Sequence, residues 1–584
     1  RRYDKFSKMV VGAKKTLESI PSKGRISVMR IQNFTVTKRY SVIKLAYGVL
    51  LMVIAVVMAA INPIEIVSSW YLDMKDGSFL YKMWETPPYQ LYSDVWVYNY
   101  TNVKEYMDGT HDKLKIQEIG PFRFQEIRTN ENMTIDKEKG VLTLNPKVTL
   151  KFLREESIAD LNDLSIYVPN IALIAMSTLA ADKLGYIPNA GAYYSISAMG
   201  SKLFSKLSIN ELFWGYKDPL VSIANTLLPG WIDFGKLGLL DRFYAQRTEK
   251  VELELKNLSS RFSINQWNDL AGLPEQGFKS LNTSTKCNRV MGAYEGIMLS
   301  PHFPKGREIP VFRKQACRTY PFSYEKEEIG EGGYNTYRYS MAKNAFSTSS
   351  PYACNCTQNC LPDGFVDISK CYYGFPIALS KPHFMDADPK QLAFFEGMTP
   401  NPEKDGSYLQ IEPTIGVPLS LRSNIQVNIA VRTSLGNPIT KPLKDKVMPL
   451  AWLSMYCNGP PDNIQSLLRL RFVIAPPIVI TLNVILFVIG LVLTGQGAHR
   501  IWKPRYQLVE NTKPAPVRKI SRERKKSIER RRSMERRKSS VILNFNAVAD
   551  TLFREKDDLA KEAVSLLAIT EDDNDDLNDL VVSD

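Results

Sequence analysis

The chain has 584 residues, of which 44% are hydrophobic and 23% charged, and its formal net charge is +14. A charge of that size suits a nucleic-acid binder, but the excess sits towards the two ends, and the long stretch between them has the composition of an ordinary globular domain. A basic surface spread over the folded part is excluded, and nucleic acid is not expected as a partner.

From the N-terminus, residues 1–44 carry twelve Lys/Arg against Asp4 and Glu18. The uncharged run 45–64 reaches the roughly 20 apolar residues that a helix needs to cross about 30 Å of hydrocarbon. It begins too late for a cleaved secretory signal and follows a basic segment, so it reads as an uncleaved signal-anchor. A second uncharged run, 472–498, reads as the return span. The basic residues before the first span, and Arg500, Lys503 and Arg505 after the second, put both termini in the cytoplasm; Arg469 and Arg471 on the other flank weaken that vote. The expected topology is a membrane hairpin: cytoplasmic segment 1–44, span 45–64, ectodomain 65–471, span 472–498 and cytoplasmic tail 499–584. Arg1 in place of Met points to a fragment or a trimmed form.

Within 65–471, alternating runs at 95–98, 141–144 and 425–429 predict strands, and Lys139-Gly140 a turn. Apolar residues at helical spacing between Pro169 and Leu212 predict helices that interrupt a strand-rich chain. Gly120-Pro121 reads as a turn between strands, because Gly permits the bend and Pro fixes φ. Trp214-Gly215-Tyr216 reads as core packing, and His383, between Pro382 and Phe384, as a structural histidine rather than a metal ligand. Gly330-Glu331-Gly332-Gly333 lacks the Lys-Ser/Thr of a phosphate loop and reads as a turn.

All seven cysteines, Cys287, Cys317, Cys354, Cys356, Cys360, Cys371 and Cys457, fall in this loop, which predicts an oxidising compartment and disulfides. The odd count leaves one thiol over, assigned to Cys457 near the second span. Zinc is the rival for Cys354, Cys356 and Cys360, but no two-plus-two ligand set appears and the four histidines are scattered, so neither a metal nor another cofactor is expected. Five glycosylation sequons, at Asn99, Asn132, Asn257, Asn282 and Asn355, lie in the same loop.

Five short motifs occur in order: Glu118-Ile119-Gly120-Pro121-Phe122-Arg123-Phe124, Leu212-Phe213-Trp214-Gly215-Tyr216-Lys217-Asp218-Pro219, Asp367-Ile368-Ser369-Lys370-Cys371, Pro382-His383-Phe384 and Ile411-Glu412-Pro413-Thr414-Ile415-Gly416. Together with the two spans and the clustered cysteines, they resemble the class B scavenger receptor family, that of platelet glycoprotein IV (fatty acid translocase), the lysosomal integral membrane protein and sensory neuron membrane proteins. The resemblance covers both spans and essentially the whole loop. It implies an α+β fold: a large antiparallel β-barrel-like ectodomain, an apical helical bundle, and an internal apolar tunnel leading towards the bilayer. It implies the pairing Cys287–Cys354, Cys317–Cys371 and Cys356–Cys360. It also implies ligand binding at the apex, where Lys183, Lys202, Phe204 and Lys206 are the candidates in this chain. Those basic residues are sparser than in lipoprotein-binding members, which leaves room for an apolar ligand.

The function so implied is that of a non-enzymatic receptor at the plasma membrane, with an endosomal or lysosomal pool. It binds lipids or lipoprotein particles and passes a fatty acid, sterol or carotenoid to the membrane. A docking, endocytic or sensory co-receptor without lipid conduction is the alternative. A two-span ion channel is a further one, but the second span offers few polar residues beyond Thr481, Asn483 and Thr494.

The tail carries two sorting-type patterns for clathrin adaptors, Tyr506-Gln507-Leu508-Val509 and the acidic dileucine form with Glu562, Leu566 and Leu567. Its basic stretch 513–540 sets Ser521, Ser527, Ser533 and Ser539 six residues apart, each behind Lys/Arg of the kind basophilic kinases recognise, and the chain ends in an acidic run, 571–584. Thirteen Lys/Arg against three Glu between Lys513 and Lys538 should hold this stretch on anionic lipid, at about 1 kcal/mol per basic residue before screening. Four phosphates, at about −1.5 to −2 charges each, would offset most of that excess. A synthetic 513–540 peptide is therefore expected to bind phosphatidylserine vesicles and to be released when the four serines are phosphorylated; equal affinity of the two forms would rule the switch out.

Overall fold

The computed structural model describes residues 22–183, 193–194, 196–227, 232–245, 248–354, 356, 360–433 and 437–503. The tail sites Tyr506, Ser521, Ser527, Ser533, Ser539, Glu562, Leu566 and Leu567 lie outside the described residues, as do Asn355 and the side chain of Lys183.

The first helix, α1, spans Ser22–Ile61 and is long and apolar enough over Lys38–Ile61 to cross a membrane. It stops at Asn62, whose φ of 48° is left-handed, just before Pro63. The helix thus ends three residues short of the expected bound at Ile64. Two short helices follow, α2 (Pro63–Tyr71) and α3 (Phe79–Glu85), the second capped by Ser78, which accepts from Tyr81 N. At the other end of the loop, α5 (Asp462–Arg469) runs through a π-helical turn, Leu470–Ile474, into α6 (Ala475–Trp502); Asp462–Trp502 is the second candidate span. The two long helices pack side by side through small residues: a Cβ on Gly48 would fall 2.6 Å from Thr494 N, and one on Gly490 2.8 Å from Gly48 O.

Between them lie the strands β1 (Leu91–Tyr100), β2 (Leu114–Asp136), β3 (Val141–Phe152), β4 (Ser165–Pro169), β5 (Phe204–Ser208), β6 (Val251–Glu254), β7 (Ile264–Trp267), β8 (Ile309–Arg313), β9 (Arg318–Ile329), β10 (Asn335–Met341), β11 (Val366–Asp367), β12 (Ile377–Ser380), β13 (Phe395–Glu396), β14 (Tyr408–Glu412), β15 (Val417–Ala430) and β16 (Val447–Cys457). The main sheet runs β7-β6-β3-β2-β1-β16-β15-β14-β10-β9-β8, antiparallel throughout that path. The β-barrel-like expectation needs a correction, because β7 and β8 do not pair and the sheet is not a closed barrel. The segment 292–294 lies between them instead: Gly292 N donates to Ile264 O (2.8 Å), Ile264 N to Ala293 O (2.8 Å), Tyr294 N to Pro310 O (2.8 Å) and Phe312 N to Tyr294 O (2.9 Å). Three residues of irregular chain satisfy edge groups that would otherwise be unpaired.

Gly120-Pro121 also differs from its reading as a turn. It lies inside the long strand β2, opposite a register shift in β1 between Val95 and Val97. The Trp96 ring occupies the space a side chain would need, with Cδ1 2.6 Å from an ideal Cβ on Gly120. Glycine is there to admit an indole.

The stretch expected to be helical is partly so. Helix α4 (Ile171–Lys183) follows the β4–β5 hairpin partner Ser165–Pro169, and the region's other long chain segment, 184–192, lies outside the described residues. Lys202 and Lys206 are exposed, whereas Phe204 is 6% exposed and packs against Tyr100, ring centroids 5.3 Å apart. Phe204 is placed as a core residue; of the candidates whose side chains are described, Lys202 and Lys206 present themselves to solvent.

Candidate functional site: an apolar cavity at the membrane end of the sheet

Where α2, α3 and α5 meet the sheet, their apolar faces do not fill the space between them. The result is a cavity of about 380 Å³, lined from α2 by Ile64, Val67 and Tyr71, from α3 by Leu80, Met83 and Trp84, and from α5 by Ile464, Leu467 and Leu468, with Tyr89, Ile297 and Val417 above. Ala475 and Val479 of the second candidate span also border it. Apart from Arg471 and Ser68, the lining is apolar or aromatic, so ordered water would find few partners there. Arg471 is held at the rim by Glu65 (3.2 Å), an ion pair that joins the residues next to the two spans.

Smaller cavities follow further into the sheet, separated by side chains. Tyr89 and Ile297 border both the membrane-end cavity and one of about 80 Å³, which is also lined by Leu91, Leu419 and Leu421. Arg313 borders that cavity and two others of about 60 and 50 Å³. Phe243 borders those two and a last one of about 30 Å³, whose lining includes Ile171 at the start of α4. Each cavity in this series shares at least one lining residue with the next.

The quoted motifs have other work. Glu118 of the first and His383 of the fourth meet although 265 residues separate them: His383 Nε2 lies 2.6 Å from Glu118 Oε2, which also accepts from Trp452 Nε1 (3.0 Å), while Lys404 donates to Oε1 (3.2 Å). On the other side, His383 Nδ1 lies 2.9 Å from Asp405 Oδ2, off the line of a directed hydrogen bond, so Asp405 acts as a counter-charge. Trp452 stacks on Trp96 at 3.9 Å, with Lys404 over both rings. In the same first motif, Arg123 grips Asp94 with two bonds of 2.7 Å. Glu412 of the fifth accepts from Thr414 N and Ile415 N, closing the turn before β15.

Three disulfides, Cys287–Cys354, Cys317–Cys371 and Cys356–Cys360, tie the loops around β8 and β9, and Cys457 at the end of β16 is a buried free thiol. Among the sequons, Asn132, Asn257 and Asn282 are exposed; Asn99 is half-buried and accepts from Tyr167 N (2.9 Å).

The sequence profile of the CD36 family matches residues 45–500. Among curated proteins, Scavenger receptor class B member 1 of Bos taurus is 26% identical over 466 residues, covering 78% of this chain and 88% of the relative. Lysosome membrane protein 2 of Mus musculus is 28% identical over 442 residues, covering 73% of this chain and 88% of the relative.

The His383 cluster makes stability depend on pH in a defined way. Burial alone would lower the imidazole pKa, but the contacts with Asp405 and Glu118 outweigh it and raise the value from 6.5 to about 9. Burial alone would raise Glu118, but His383, Trp452 and Lys404 bring it from 4.5 down to about 2. The contribution of His383 is therefore complete below about pH 6.5 and is lost as pH rises through about 9, and that of Glu118 is lost only as pH falls from about 4.5 through 2. In detergent, full-length protein should exceed a His383→Gln variant in melting temperature most between about pH 4.5 and 6.5, and the gap should shrink towards pH 9; a gap independent of pH would contradict this.

Proposed function

This chain belongs to the CD36 family, and we propose that it is a membrane receptor that binds lipid on its ectodomain and conducts it through the cavities of the sheet into the bilayer. The observation that carries this reading is the position of the largest of these cavities: apolar, and bordered by the helices that adjoin both candidate spans. A lipid crossing water exposes about 0.8 kcal/mol per CH₂, and an apolar route from the ectodomain to the hydrocarbon avoids most of that. The succession of smaller cavities supports a path, with the side chains between them as points that must yield when a lipid passes.

Two helices long and apolar enough to cross a membrane support a two-span membrane protein, and the proposed arrangement has both termini on the cytoplasmic side, at the plasma membrane with an endosomal or lysosomal pool. The proposed division puts the sheet, its disulfides and its sequons outside the cytoplasm, with Lys202 and Lys206 on the ligand-facing end and lipids or lipoprotein-like particles as partners. In the tail, clathrin adaptors would read Tyr506 or Leu566-Leu567, and basophilic kinases the serine repeat.

Ile297 stands between the first two cavities, so a charge there should close the path without touching the exposed ligand-facing surface. Arginine in an apolar lining costs about several kcal/mol unless it finds a partner. Ile297→Arg and Met83→Arg are expected to reduce lipid transfer from donor particles to cells at least tenfold, with particle binding within twofold of wild type. Unchanged transfer in both would favour a docking receptor that conducts nothing.

A further inference from the structure

Midway along the series of cavities the lining changes from apolar to charged. Glu126, Arg128, Glu295 and Arg313 border both the cavity of about 80 Å³ and that of about 60 Å³, and Glu249 and Lys314 border the latter. Most of these charges have partners. Arg128 pairs with Glu295 (2.9 Å) and donates to Asn130 Oδ1 (3.1 Å), Lys314 pairs with Glu249 (2.6 Å), and buried Glu126 accepts from the Tyr244 hydroxyl (3.2 Å). Burial pushes the Glu126 carboxyl up, partly offset by the nearby charges of Arg313 and Arg128, which weakens it as a counter-ion.

Arg313 is the exception. It ends β8, just before the tight turn in which Cys317 N donates to Lys314 O, and the Cys317–Cys371 disulfide pins that turn. Among the described residues its guanidinium has no carboxylate within ion-pair distance, and its buried Nε has no acceptor. It borders three of the cavities at once, so whatever moves along the route passes it. A buried guanidinium hydrogen left without an acceptor is costly, and a planar fork of donors is matched by a carboxylate.

We propose that Arg313 is a specificity-determining residue of the conduit: it holds the carboxylate of a long-chain acid while the chain extends along the apolar part of the neighbouring linings, Leu91, Leu419 and Leu421 on one side and Leu379, Val427 and Leu453 on the other. A neutral ester offers this fork only an uncharged carbonyl acceptor, which a glutamine at the same position could pair with equally well, and is held less tightly than the acid. The inference rests on the conduction reading above and refines it by assigning head-group selection to one side chain.

The test compares a long-chain fatty acid with its methyl ester, both carrying the same fluorophore at the far end, on full-length protein in nanodiscs. Charge-assisted hydrogen bonds of this kind correspond to a preference of about tenfold or more. Wild type should bind the acid at least that much more tightly than the ester; Arg313→Gln should bring the acid down to the ester's affinity and leave the ester unchanged, and Arg313→Lys should retain part of the preference. Unchanged ester binding also shows that the variants are folded. Equal affinity of acid and ester in wild type, or a preference that survives Arg313→Gln, would overturn the proposal. Transfer to acceptor vesicles is read separately: a head-group preference at Arg313 without transfer supports the anchor and overturns conduction alone.

Discussion

The architecture depends on both ends of the sheet being brought to one place in the membrane. Inside a bilayer there is no hydrophobic force between helices, so they associate where small residues let backbones approach. Gly48 against Thr494 and Gly490, and Gly497 against Leu45 and Ser41, provide that approach between α1 and α6. Because α2 leaves the first of these helices and α5 enters the second, their pairing brings the largely apolar α2 and the apolar face of the amphipathic α5 to the base of the sheet, and the Arg471–Glu65 pair fastens them there. The membrane-end cavity is the space these helices leave. Its position beside the hydrocarbon follows from the helix pairing rather than from the sheet.

A second constraint acts inside the sheet. Ionised groups removed from water are costly unless matched, and removing one partner of a buried pair leaves the other exposed to that cost. Glu118, His383, Asp405 and Lys404 balance one another's charge across β2, the 382–384 turn and the chain before β14, while the stacked Trp96 and Trp452 cover them. This arrangement fixes the relative positions of segments far apart in sequence. It is matched over the acidic range down to about pH 4.5, because the imidazole stays protonated and Glu118 stays ionised there.

Some of this was legible in the residues and some was not. The spans announce themselves because an unbroken apolar run of their length has few other uses, and the confinement of every cysteine to one loop signals the oxidised side. The meeting of Glu118 and His383 had no local signal: both lie in short motifs, but nothing in either says that the other is its partner. Gly120 carried a misleading one, since glycine before proline commonly means a turn, and here the indole of Trp96 and the Val95 carbonyl across the strand, with a φ of +155°, call for it instead. Phe204 looked like an apical contact and is core, because its strand alternates and its face was not deducible without the β4 pairing. The gap between β7 and β8 is bridged by 292–294, a segment with no strand periodicity. Arg313 could not be distinguished from the other arginines of the loop, since its significance is the lack of a partner among the described residues.

The central claim is that lipid occupies the interior of the sheet on its way to the membrane. The direct measurement is photolabelling of the full-length protein in nanodiscs with diazirine-bearing fatty acid and sterol, followed by mapping of the modified residues by mass spectrometry. The account predicts label on Tyr89, Ile297 and Leu468, which line the membrane-end cavity, displaced by excess unlabelled lipid. Label confined to outward residues such as Trp70 and the exposed faces of α1 and α6, with none on the cavity lining, would contradict it.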